Sequence, residues 1–211
     1  MEEIRGKHAV IRFDGKKCIH ARHCVLTRPD VFVPNVAGEW IYPDRATPDE
    51  LMLLAHNCPS GAIVVERLDG GAQESEPRVN TTAVRENGPL AFHGKLVIEG
   101  AQDAEATRAT LCRCGQSKNK PYCDGSHVAA AFAATGEPAT RESEALAARD
   151  GEVRITPRLH GPLKVLGNME VTCGTGRTIF RATELYLCRC GASANKPYCD
   201  GSHVRVGWKS E

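Results

Sequence analysis

Leu111–His127 reads LCRCGQSKNKPYCDGSH, and Leu187–His203 reads LCRCGASANKPYCDGSH. The two stretches differ only where Gln116 faces Ala192 and Lys118 faces Ala194. A duplication of this kind sets the architecture before any helix or strand is assigned. Upstream, Gly88-Pro89-Leu90 recurs as Gly161-Pro162-Leu163, with a spacer to the first cysteine that is three residues longer in the second copy. RVNTTAV (78–84) and VRITPRL (153–159) both read as short strands. The repeats are therefore placed at 78–135 and 152–209. The stretch between them, 136–151, is rich in alanine and charge and reads as a short helix or a solvated linker. The polar, turn-rich LDGGAQESEP marks a boundary with a third unit, 1–70, of different character.

Each copy has the pattern C-x-C-x8-C-x3-H, giving Cys112, Cys114, Cys123 and His127, then Cys188, Cys190, Cys199 and His203. If a helical turn begins at Asp124 or Asp200, the last cysteine and the histidine share a face and the aspartate caps the turn. The two leading cysteines flank Arg113 or Arg189 and point the same way on an extended segment. Pro121 and Pro197 fix the approach to the third cysteine. Zinc knuckles usually space their cysteines C-x2–4-C. The tighter C-x-C suits a two-iron cluster, with two ligands for each iron.

Composition agrees with a metal role. Of 211 residues, 10 are Cys and 8 His, while aromatics are only 5%, so thin cores need a metal staple. A net charge of +1 gives no support for nucleic-acid or membrane binding. The opening MEEIRGKHAV lacks the apolar core of a signal peptide, and no apolar run approaches the ~18 residues of a membrane span. A cytoplasmic setting is expected, in which clustered cysteines bind metal rather than form disulfides.

Both motifs resemble the CDGSH iron–sulfur (mitoNEET-like) family, whose signature is C-x-C-x2-S-x3-P-x-C-D-G-S-H. Ser117, Pro121 and the CDGSH run match in the first copy, and Ser193, Pro197 and CDGSH in the second. The resemblance implies one [2Fe-2S] cluster per motif. One iron would be held by Cys112 and Cys114, the other by Cys123 and His127; Cys188, Cys190, Cys199 and His203 would do the same in the second copy. It further implies an internal pseudo-dimer in which both units share a small β layer, so that a monomer suffices. A neutral imidazole among three thiolates leaves the cluster less negative. Its potential should exceed the roughly −400 mV of plant-type ferredoxins. The histidine must be deprotonated to ligate, so cluster loss is expected below about pH 6.

In the N-terminal unit Cys18, Cys24 and Cys58-Pro59 fit the first, third and remote positions of the ferredoxin pattern C-x2-C-x2-C-x3-C-P, with Ala21 in the second. A strand (HAVIRF) leads into the cysteine loop, a short turn or helix holds Cys24, a helix from Pro48 to about His56 delivers Cys58, and AIVVERL follows as a strand. CIHARHC, PDVF and CPSGAI resemble the divergent single-cluster ferredoxin domain over about residues 5–68. Three thiolates suit [3Fe-4S]; a fourth ligand such as His20 would complete [4Fe-4S]. Cys173 has no counterpart in the first repeat and is read as a buried side chain. The expected fold class is α+β: a small ferredoxin-like domain followed by two CDGSH units in a pseudo-dimeric, β-rich fold. The expected function is electron transfer with a redox partner protein. The alternatives are cluster transfer to an apo-acceptor, redox or pH sensing, and a structural metal-binding interaction module. No nucleophile–base pair or nucleotide loop stands out, so the sequence does not read as an enzyme.

Overall fold

The computed structural model describes residues 1–101 and 105–210. They form an α+β fold of two compact units, 1–75 and 76–211. Among the described residues, no helix is long and apolar enough to cross a membrane.

The first unit is a three-stranded antiparallel sheet in the order β1 (Glu2–Arg5), β2 (Ala9–Phe13), β3 (Ile63–Arg67). The polar β1 has no hydrophobic alternation to announce it. It is held by its ladder to β2 and by Glu3 pairing with Arg12, which also reaches Glu66. Between β2 and β3 run α1 (His23–Thr27) and α2 (Pro48–His56). The start of α2 is fixed locally. Thr47 caps it, Glu50 returns the bond to the Thr47 backbone, and Pro48 needs no N–H in the first turn. Leu51, Leu54 and Ala55 bury its inner face against Ile11, Ile63 and Val65.

The second unit is a single six-stranded sheet built by both repeats. Its strands are β4 (Thr81–Val84), β5 (Leu90–Ile98), β6 (Glu105–Leu111), β7 (Glu152–Pro157), β8 (Leu163–Thr172) and β9 (Thr178–Leu187). Each repeat contributes a long antiparallel pair in the same register: Leu90 faces Leu111, and Leu163 faces Leu187. The short strands cross over. β4 is antiparallel to β5 of its own repeat and parallel to β8 of the other, while β7 is antiparallel to β8 and parallel to β5. Along β5 the partner changes from β4 to β7 near a bulge between His93 and Leu96, and along β8 from β7 to β4 near one between Leu166 and Met169. One core serves both halves, with Phe92, Leu96, Ile98 and Leu111 from one repeat among Ile155, Leu163, Met169 and Leu187 from the other.

The segment 136–151 forms neither a helix nor a free linker. Its backbone is claimed by neighbouring strands: Gly174 N–H donates to Gly136 O, Arg141 N–H to Ile179 O, and Asn80 N–H to Arg149 O. The Arg141 guanidinium stacks 3.8 Å from the Tyr198 ring centroid. Those strand-edge contacts outweigh the helix propensity of its alanines.

The two motif loops meet at their leading ends. Cys114 and Cys190 form an antiparallel bridge, and Gly115 and Gly191 lie beside it at φ +82° and +79°. A Cβ on Gly191 would sit 2.6 Å from Cys114 O, whereas Gly201, at φ +82°, has nothing within 4 Å. Both positions carry the left-handed penalty of about 1–2 kcal/mol on substitution by alanine, and only Gly191 adds a backbone clash. Gly191→Ala is expected to lower the denaturant midpoint clearly more than Gly201→Ala; equal shifts would show that the loops are not in close contact.

Candidate metal centres

Each motif starts at the end of a long strand and is folded back by main-chain bonds. Cys112 N–H donates to Pro121 O (2.9 Å) and Cys123 N–H to Thr110 O (2.9 Å); in the second copy Cys188 pairs with Pro197 (2.8 Å) and Cys199 with Tyr186 (2.8 Å). The peptides before Pro121 and Pro197 are cis. Inside the loop, Ser117 Oγ donates to Tyr122 O (2.6 Å) and accepts from Asn119 N–H (3.0 Å), and Ser193 repeats this with Tyr198 and Asn195. Lys120 and Lys196, flexible cations on paper, direct Nζ to Ser117 O and Ser193 O at 2.5 Å and so belong to the loop.

Asp124 and Asp200 are not helix caps. The four-residue helices α3 (Ser126–Ala129) and α4 (Ser202–Arg205) begin after Gly125 and Gly201, both at positive φ. Asp124 instead accepts from Ser126 N–H (3.0 Å) and Lys118 N–H (2.8 Å), tying the start of the helix to the middle of the loop; Asp200 does this with Ser202 and Ala194. The Ser202 hydroxyl and those amides hold the Asp200 carboxyl well below the usual carboxylate range.

The ligand candidates come together as pairs. Cys112 and Cys114 Sγ are 3.7 Å apart, and Cys188 and Cys190 Sγ 3.8 Å. Cys123 Sγ lies 3.4 Å from His127 Nδ1, and Cys199 Sγ 3.5 Å from His203 Nδ1. Two sulfurs on one tetrahedral metal at about 2.3 Å are about 3.8 Å apart, and a sulfur and an imidazole nitrogen about 3.5 Å. Each pair thus spans one tetrahedral edge. Among the described residues, no three His, Cys, Asp or Glu side chains converge on one ion position. The side chains present offer one metal position at each pair. Gln116 N–H points at Cys114 Sγ and Ala192 N–H at Cys190 Sγ, both at 3.4 Å, bonds that would favour the ionised sulfur of a metal ligand.

Burial grades the ligands. Cys112, Cys114, Cys123 and Cys188 are buried, while both histidines are half-buried beside exposed Val128 and Val204. Without a metal, burial pushes the Cys123 and Cys188 thiols up to about 11, so a bound cation is what would keep them ionised at neutral pH. Burial also lowers His127, which keeps the ring neutral and free to ligate.

In the N-terminal unit Cys18, Cys24 and Cys58 line one cavity of about 480 Å³, together with His20, Trp40 and Pro59. Cys18 precedes the left-handed turn at His20 (φ 53°) and Arg22 (φ 65°), Cys24 lies in the first turn of α1, and Cys58 follows the end of α2, its N–H bonded to Ala55 O. Burial raises the Cys18 and Cys24 thiols, and each is raised further by Cys58, as expected for thiols facing one space. His20 and His23 both border it. Cys173 lies apart from the motifs' paired ligands, buried at the end of β8 with Sγ 3.1 Å from Thr175 Oγ1. The residues that spacing did not single out are Arg113 and Arg189; the only sequence signal was their identity in both copies.

A family model described as iron-binding zinc finger CDGSH type matches residues 87–128 and 160–204. One described as divergent 4Fe-4S mono-cluster matches residues 4–67. No curated protein and no solved structure matches the chain.

A metal held at such an edge would lose one of its ligands if one partner were replaced. Cys123→Ser is expected to lose about half of the iron bound by residues 76–211, Cys199→Ser the other half, and Cys173→Ser none, measured as iron and acid-labile sulfide per chain. Iron loss in Cys173→Ser matching that of Cys123→Ser would contradict this ligand assignment.

Proposed function

The chain is an iron–sulfur protein that carries two CDGSH-type segments behind a divergent 4Fe-4S mono-cluster segment, and we propose that it is an electron carrier. In this reading Cys112, Cys114, Cys123 and His127 hold one [2Fe-2S] cluster. Cys188, Cys190, Cys199 and His203 hold a second, and Cys18, Cys24 and Cys58 hold a [3Fe-4S] or, with a fourth ligand, a [4Fe-4S] cluster. The observation that carries the proposal is the pairing of ligands at tetrahedral edge lengths, twice over in one sheet. Such clusters supply one-electron couples.

The chain's own residues would do the rest. Buried cysteines in a loop clamped at Cys112, Cys123 and Ser117 change little in geometry between oxidation states, which keeps reorganisation small. The half-buried histidines are the points where each site nears solvent, flanked by exposed Val128 and Val204. A redox partner protein docking there would approach the metal through an imidazole. The same exposure favours a second use, donation of the cluster to an apo-acceptor once the histidine is protonated.

The sign of the pH effect follows from burial. His127 is held below the ordinary imidazole value, so its ligating neutral form persists through neutral pH and is lost as pH falls through the lowered value. Visible absorbance is expected to be stable at neutral pH and to bleach below about pH 6, with His127→Cys and His203→Cys each slowing the loss. Absorbance unchanged at about pH 4 would exclude histidine ligation. On anaerobically purified protein, about four irons per chain would indicate the two CDGSH sites alone. About seven, with an EPR signal as isolated, would add a three-iron N-terminal cluster. Zinc in place of iron would overturn the proposal.

A further inference from the structure

The two motif stretches differ only at Gln116/Ala192 and Lys118/Ala194, and both of the first copy's residues line one cavity of about 580 Å³. Lys120 lines it from the same loop, and Trp208, Lys209 and Ser210 line it from the segment after α4. That segment belongs to the second repeat and is pinned against the loop of the first motif. Trp208 N–H donates to His203 O (2.9 Å), its indole Nε1 to Gly115 O (3.4 Å), and Ser210 N–H to His160 Nδ1 (3.2 Å). In the first repeat Phe132 makes the same main-chain bond, N–H to His127 O (3.0 Å), and is followed by Ala133 where Lys209 follows Trp208. Gln116, Lys118 and Lys209 thus stand where the other copy has Ala192, Ala194 and Ala133.

The cavity is cationic. Of the six lysines after residue 76, Lys95 and Lys164 pair with Glu76 and Glu184, and three of the remaining four gather here. Among the described residues no carboxylate lines the cavity. The loop's own Asp124 is taken up by the amides of Lys118 and Ser126. Lys120 braces Ser117 O, while Lys118 and Lys209 are exposed. Like charges gathered without a counter-ion repel one another and draw an anion from outside. The lining is polar and exposed round a half-buried tryptophan, as at the anchor of a protein interface, whereas small-molecule sites are mostly apolar and enclosed. The cavity also adjoins the metal ligands, since Gln116 N–H points at Cys114 Sγ (3.4 Å).

We propose that this cavity is the docking face for a redox partner protein whose surface carries carboxylates, and that it makes the first motif, not the second, the point of electron exchange with that partner. The inference rests on the electron-carrier reading above. A cluster held by three thiolates is anionic and by itself repels an acidic partner. Lys118 and Lys209 reverse the sign of the field at the rim and steer the encounter. One electron then leaves the partner's reduced centre and enters the oxidised cluster of the first motif, with no bond made or broken. His127 and Val128 do not line the cavity, so this face is separate from the histidine tip. Two motifs with the same ligand set thereby differ in what can approach them.

The test uses the full iron-loaded chain and, as probe, a plant-type ferredoxin with a carboxylate-rich surface. Complex formation between the two oxidised proteins is measured by calorimetry over a range of ionic strengths, and reduction of the chain by the reduced ferredoxin is followed by stopped flow. The Lys118→Ala/Lys209→Ala chain keeps the main-chain bond from residue 118 to Asp124 and the Lys120 brace. It is expected to bind about tenfold more weakly at low salt, with a flatter salt dependence. Lys118→Arg/Lys209→Arg is expected to match the parent, and so is Lys95→Ala/Lys164→Ala, which removes the same charge elsewhere. Equal weakening in the Lys95→Ala/Lys164→Ala chain, no weakening in the Lys118→Ala/Lys209→Ala chain, or no complex with the parent would overturn the inference. Displacement of the ferredoxin by inorganic phosphate at constant ionic strength would also overturn it, as a site for small anions. Lysine-dependent binding without electron transfer would uphold the docking face and fail the carrier reading; transfer at a rate the lysines do not affect would do the reverse.

Discussion

The placement of two short strands governs the second unit. Thr81–Val84 and Glu152–Pro157 are each hydrogen-bonded on one side to a strand of their own repeat and on the other to a strand of the opposite repeat. Neither repeat can complete its sheet alone, because removing the partner would expose an edge of β5 or β8 and open the shared core of Phe92, Leu96, Ile155 and Met169. With about 60 residues and few aromatics per repeat, an isolated copy would bury little apolar surface. Exchanging one strand doubles the effective core without adding residues.

The same exchange fixes the metal sites. Both motif loops start where the long strands end, at Leu111 and Leu187, and each is closed by a bridge to Tyr122 or Tyr198. Rigid sheet ends therefore hold cysteine pairs at one-metal spacing. The N-terminal unit works differently. Its three cysteines line one cavity, Cys18 from a loop, Cys24 from α1 and Cys58 from just after α2. One chain thus combines two clamped sets of paired cysteine and histidine side chains with three cysteines lining a cavity.

Much of this was legible because the signals were local and repeated. The side-chain pairs Cys112–Cys114 and Cys123–His127 followed from C-x-C and from the four-residue step between Cys123 and His127. The helix Pro48–His56 was legible in the run PDELMLLAH and β3 in AIVVERL, while the Thr47–Glu50 capping box seen in the structure accounts for where the helix starts. What failed was decided by tertiary contact. The Glu2–Arg5 strand is too polar to show periodicity and exists because β2 offers a ladder. Residues 136–151 have helical composition but are drawn out along strand edges. Asp124 looked like a cap, yet Gly125 can take the positive φ that the aspartate turn demands, so the helix starts one step later. Arg113 and Arg189 stood in the sequence only as the residues flanked by the leading cysteines, since a buried arginine bonded to carbonyls leaves no mark in a sequence.

The central claim is that each motif divides its ligands into a cysteine pair and a cysteine–histidine pair on two irons. Pulsed EPR of the reduced full-length protein, prepared with 15N-labelled histidine, tests it directly. The account predicts hyperfine coupling to a histidine nitrogen in the signals of both motifs, each lost when the corresponding His127 or His203 is replaced by cysteine. A reduced cluster with no histidine nitrogen coupling, or coupling unaffected by both replacements, would contradict it.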